Sequence, residues 1–199
     1  YCQTDGIPMG TNCAPLLANL FLYALESKFI DKCLHSGDPI RIDLAKRLGD
    51  TFRYIDDLLA LNVVELSEED GSLLKEIYPP DTGLVVNRTN IGSDDRANYI
   101  GITVSSYKNG KLDLDVYDRK KEFPFHVIRY PYWSLGLPLV SALGVFVGQI
   151  HRFCGICTNT HSFLRNCGEL MEYLHTQRAY PLRRLSTKLT ESIQRFAAK

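Results

Sequence analysis

The chain has 199 residues, of which 45% are apolar and 23% charged, and its 23 Lys and Arg are matched by 23 Asp and Glu. That apolar share excludes a chain too polar to fold and suffices for one good core, or a core with a smaller satellite unit. The balanced total hides an asymmetry: residues 1–118 carry 11 basic against 19 acidic side chains, and residues 119–199 carry 12 against 4. The second part is therefore the one suited to a phosphate backbone.

No basic-then-apolar leader opens the sequence, and the longest apolar stretch, 135–150, is interrupted by Pro138, Ser141 and Gln149, so neither a secretory signal nor a membrane span is expected. Six cysteines without the dense framework of a small secreted domain point to a reducing, intracellular compartment. The chain opens on Tyr1 inside what reads as a motif, which predicts a piece of a longer polypeptide.

In chain order, a Gly- and Pro-rich turn precedes Leu16, Leu17, Leu20, Phe21, Ala24, Leu25 and Phe29 at helical spacing, with Thr11 or Asn12 as cap and Pro15 in the first turn. A polar connector, 36–50, leads to a strand in which Phe52 and Tyr54 face one way and Arg53 and Ile55 the other. A second strand returns over 58–64. Ser67 and Asp70 resemble a capping box for a short helix ending at Pro79, and "GLVVNRT" suggests another strand. "NYIGITVSSYKNGKLDLDVY" alternates as strands do, with Asn109 and Gly110 as the hairpin turn. Beyond 118 the apolar period becomes helical, over about 138–157, 160–177 and 182–196, after an aromatic, Pro-punctuated connector. The pattern predicts an α+β chain divided near the charge switch, into 1–118 and 119–199.

The stretch "TFRYIDDLLAL" places Asp56 and Asp57 side by side in an apolar run. Two adjacent carboxylates repel, and in a partly dry setting they stay ionised only beside a cation. A bare Asp-Asp is usually a solvated turn. A tight hairpin carrying both is equally a natural holder of hard divalent ions such as Mg²⁺, and such a site supports two-metal phosphoryl transfer. The loop Gly6–Gly10 is open to two readings as well, a plain helix-start turn or a surface that lets the backbone approach a ligand closely, with Pro8 stiffening it and Met9 offering a soft apolar contact.

Tyr54-Ile55-Asp56-Asp57 resembles the Tyr-x-Asp-Asp signature of reverse transcriptases. "QTDGIPMGTNCAPLLANLFL" resembles the Gln-to-Gly motif that precedes it there, in the same order and at a similar separation. "NYIGITVS" is similar to the following motif, and the segment from "LDVYDRKKEF" to "QIHRFC" looks like the region after the palm in Penelope-like retroelement enzymes. The resemblance implies a polymerase palm, an antiparallel sheet with packed helices, followed by an all-helical thumb. It implies RNA-directed DNA synthesis with an RNA template, a DNA primer, deoxynucleotides and two Mg²⁺ ions, Mn²⁺ being a possible substitute, in the nucleus. It casts Asp56 and Asp57 as catalytic metal ligands. Gln3, Gly6, Pro8, Met9, Gly10, Tyr54 and Arg88 would meet template or nucleotide, with Tyr54 beside the primer terminus and Arg88 near pyrophosphate, and Tyr99 and Gly101 would grip the primer. In the family a further metal-binding Asp sits on an earlier strand, which implies that the upstream part of the polypeptide completes the site and that this piece alone is inactive.

Arg183, Arg184 and Lys188 accompany an apolar stripe in the basic part and are candidates for nucleic-acid backbone contact. Cys154, Cys157, Cys167, His151 and His161 invite a zinc reading, but the cysteines follow a helical apolar pattern and no second Cys-x-x-Cys is present. A nucleophile elbow is lacking, so a hydrolase has no support. The competing classes are a catalytically dead or domesticated module that binds nucleic acid, and a reverse transcriptase of another lineage such as that of group II introns.

Overall fold

A computed structural model describes residues 10–61, 63, 66, 71–87, 96–106, 110–125 and 127–197. The chain is α+β, and its contacts divide it into two compact units, 1–91 and 92–199.

The first unit starts with helix α1 (Ala14–Leu34), whose first turn holds Pro15 and whose N-cap is Cys13 rather than Thr11 or Asn12, with no side-chain cap. Its later turns are anchored through buried Phe29 and Cys33, while Leu16, Leu17, Leu20, Phe21 and Tyr23 are exposed. Where the sequence suggests a connector there is a second helix, α2 (Pro39–Leu48), capped by Asp38, whose carboxylate accepts from the Ile40 amide at 3.0 Å. Strands β1 (Thr51–Tyr54) and β2 (Asp57–Ala60) form an antiparallel hairpin, and β2 is shorter than its apolar run suggests. Helix α3 (Ser72–Ile77) contributes Leu73 and Ile77 to a core with Phe29, Cys33, Ala45, Val63 and Tyr78. Lys32 and Arg41 both pair with Glu76, at 2.9 and 3.0 Å, and these hydrogen bonds hold its carboxyl below the usual range despite partial burial. Residues 84–87 are irregular rather than a strand, with Val85 and Val86 facing solvent instead of a sheet. Ser67 and Asp70 lie outside the described residues.

The second unit has a three-stranded antiparallel sheet, β3 (Arg96–Tyr99), β4 (Ile102–Ser106) and β5 (Leu112–Val116), in that order. β4 and β5 pair as expected, with Gly110 at φ +76°; Asn109 lies outside the described residues. Three helices follow, α4 (Leu139–Ile156), α5 (Thr160–Arg178) and α6 (Leu182–Ala197). Asn159 caps α5 through a 2.7 Å bond from the Ser162 amide. The helices share a core of Ala142, Leu143, Phe146, Ile150, Phe153, Cys167, Leu170, Leu174, Tyr180 and Leu185. α4 has the length and mean hydropathy, 1.4, of a membrane span, and its buried face is the centre of this core.

β5 is fastened to the α4–α5 junction. Thr158 and Leu114 exchange hydrogen bonds at 2.9 and 3.1 Å, Asn159 donates to Asp113 at 2.8 Å, and Arg165 pairs with Asp115. Burial opposes ionisation of Asp115, but donors from Asn166, the Val116 amide and Arg165 outweigh it and hold the carboxyl below its ordinary value. The charge switch near 118 thus marks a change in surface composition, whereas packing divides the described chain before β3.

Candidate functional site

The acid pair sits at the tip of the β1–β2 hairpin. Tyr54 pairs with Asp57, which leaves Ile55 and Asp56 as a two-residue turn. Ile55 has φ +54°, in the left-handed region that normally takes Gly. A β-branched residue there is a true backbone outlier, and such strain concentrates at functional sites. Asp56 and Asp57 are both exposed. Directly paired residues share a face, so Asp57 lies beside Tyr54, and Phe52 with Leu59 continues that face. Tyr54 is 57% and Phe52 54% exposed.

The opposite face explains why the hairpin stands where it does. Arg53 points inward and donates to Glu26 at 2.8 Å and to the Asn19 side chain at 2.8 Å, both on α1, and Tyr78 donates to the same Glu26 oxygen at 2.6 Å. Burial, then the Glu26 carboxylate, pushes the Tyr78 hydroxyl well up, so it remains a donor at any ordinary pH. The Arg53–Glu26 pair is largely desolvated, and Tyr78 and Asn19 add hydrogen bonds to its two ends, which helps such a pair fix geometry. Beside it is a cleft of about 380 Å³ walled by Tyr23, Phe29, Ile30, Leu58 and Ile77, onto which Thr51 also faces. The Thr51 hydroxyl is buried and has no hydrogen-bond partner among the described residues.

Sequence reasoning singled out Tyr54, Asp56 and Asp57, and the structure brings these three together. It missed Arg53, Glu26 and Asn19, although an Arg on the inner face of a strand, opposite an exposed Tyr, signals a buried acidic partner. Gly10, at φ +89° with open space around it, precedes α1. Gln3, Gly6, Pro8, Met9 and Arg88 lie outside the described residues.

The expected primer-contact residues fall in the second unit. Tyr99 ends β3, and Ile100 (φ +46°) with Gly101 (φ +76°) forms a two-residue type I′ turn, so "NYIGITVS" is a hairpin rather than one strand. Gly101 is held by α4, since Arg152 donates to its carbonyl at 3.3 Å and a Cβ there would meet the guanidinium at 2.7 Å. On α6, Arg183 and Arg184 are exposed, while Lys188 is paired with Glu191 at 2.6 Å in a solvent-exposed ion pair of small energetic weight.

Among the described residues no group of three metal-ligating side chains occurs; the hairpin contributes two adjacent carboxylates, hard oxygen donors of the kind Mg²⁺ takes. Of the zinc candidates, Cys167 is buried in the helical core and its thiol is pushed up to about 12 by burial. Cys157 faces Asp115 and Asn166, and Cys154 is exposed. Comparisons with protein-family models, with curated proteins and with solved structures gave no match to this chain.

Proposed function

We propose that the chain is the catalytic-hairpin part of a reverse transcriptase palm with its thumb, similar to Penelope-like retroelement enzymes, and takes part in RNA-templated DNA synthesis. The observation that carries the proposal is the pairing of Asp56 and Asp57 at an exposed, strained tip with a root fixed to the Gly-Pro helix α1 by Arg53, Asn19 and Glu26. Rigid support of a carboxylate pair is what nucleotidyl transfer asks of a scaffold, because catalysis there is positioning and charge stabilisation.

In this reading a primer 3′-hydroxyl attacks the α-phosphate of a deoxynucleotide and pyrophosphate leaves. Asp56 and Asp57 would hold Mg²⁺, which when bound would lower the pKa of the attacking hydroxyl and offset charge on the phosphate. Tyr54 and Phe52 offer an exposed aromatic face beside Asp57 on which the terminal base pair can rest. The exposed Arg183 and Arg184 contact the backbone of the template–primer duplex.

The test is primer extension on an RNA template with Mg²⁺, using the longest polypeptide that carries this chain. DNA product that Asp56→Ala abolishes is the expected result. Absence of product from a polypeptide that still binds the template–primer would replace the enzyme with a nucleic-acid-binding module.

A further inference from the structure

Among the described residues of the second unit, two cations have no carboxylate partner. Arg178, at the end of α5, is 1% exposed. Its guanidinium donates to the Tyr173 hydroxyl at 3.2 and 2.9 Å and lies 4.6 Å from the Tyr132 ring centroid. Lys120 sits over the other aromatic, 4.1 Å from the Tyr173 centroid. Among the described residues neither cation has a carboxylate partner, in a unit where Arg129 is paired with Asp118 and Arg165 with Asp115. Burying a guanidinium against phenol rings alone is costly, and cation–π contact returns only part of that cost.

What surrounds the pair is aromatic and open. Tyr132, with the guanidinium against its ring, is 48% exposed. Phe123 and Phe125, three and five residues past Lys120, have ring centroids 5.3 Å apart and are 46% and 64% exposed. Exposed rings beside an uncompensated, reachable cation such as Lys120 are the composition that binds unpaired nucleotides, with rings stacking on bases and the cation taking a phosphate.

We propose that the 119–137 connector is a single-strand platform: unpaired bases stack on Phe123, Phe125 and Tyr132, and a phosphodiester provides the anion that Lys120 lacks, while the buried Arg178 holds the Tyr132 ring in place from behind. The proposal rests on the nucleic-acid half of the reading above and is independent of the chemistry at the hairpin. Charge complementarity selects this occupant, because residues 119–199 carry 12 basic against 4 acidic side chains.

The test measures binding of the 199-residue chain to a labelled oligothymidylate of about 16 nucleotides and to a duplex of equal length. A 2-aminopurine base within the strand reports stacking. Phe125→Ala and Tyr132→Ala are each expected to weaken single-strand binding about tenfold and to restore 2-aminopurine fluorescence, while duplex affinity stays in place. Lys120→Gln should lower the salt slope by about one. Variants that melt like the parent and bind the single strand unchanged overturn the proposal, as does an equal loss on both probes, which would mark a surface read by charge alone. A chain that binds neither probe and self-associates overturns it in favour of a protein contact. Failure of Asp56-dependent extension leaves all these outcomes readable, because none involves polymerisation.

Discussion

Two isoleucines occupy backbone conformations that favour glycine or asparagine, and the two differ in what they stand beside. Ile55 is next to the acid pair, where strain can hold a carboxylate in an orientation that a relaxed turn would not. Ile100 is next to Gly101 in a turn whose residues both have positive φ, the geometry for which Asn-Gly is the favoured pair. Ile100 is 47% exposed, so its replacement sacrifices little packing. Ile100→Asn is expected to stabilise the second unit by about 1 kcal/mol, the left-handed penalty of an ordinary residue, seen as a higher urea midpoint at unchanged slope. This hairpin was hidden in the sequence because Ile is not a turn residue, and the run Tyr99–Ser105 reads as one uninterrupted strand. Asp56 and Asp57, by contrast, were legible at once, since charge in an apolar run is conspicuous whatever the backbone does.

Among elements, legibility followed how far local pattern decides structure. α4, α5 and α6 were found nearly to the residue, because each repeats its apolar positions over four turns or more and each buries that face. α2 reads as a connector because its charged residues mask the period, yet Asp38 followed by Pro39 is a readable start signal. Val85 and Val86 looked like strand and are irregular, because β propensity acts only where a neighbouring strand supplies partners. The β1–β2 hairpin depends on a contact that no local pattern reveals, the one between Arg53 and Glu26. Arg53→Met should destabilise the first unit by about 2 kcal/mol, chiefly by leaving Glu26 desolvated without a cation. The companion change Glu26→Gln should recover part of that loss in a double-mutant cycle read by denaturation, because the orphaned charge is then gone.

For the whole molecule, the division before β3 means that the carboxylate hairpin and the basic helices belong to separately packed units. Their contributions to nucleic-acid binding should accordingly be separable. Replacing both Arg183 and Arg184 by Gln is expected to lower the slope of log affinity against log salt by about two, without changing the melting of the first unit. The charge asymmetry made the basic half legible from composition, but the boundary was displaced to 118 because surface charge does not report which elements share a core. Asp115 and its partners on α5 assign β5 to the helices, and pairing between residues 50 positions apart has no signature in a single sequence.

α1 carries one further consequence, in time rather than in energy. Its last turns are tied to the first unit by Phe29, Cys33 and the Glu26–Arg53 bond, so amides there should exchange with solvent only when that unit opens as a whole. Ahead of Asn19, Leu16 and Leu17 face solvent, and the amides of that first turn should exchange by local fraying, orders of magnitude sooner. One continuous helix then runs on two clocks, with Pro15 at the fast end and Glu26, under the root of the carboxylate hairpin, on the slow one.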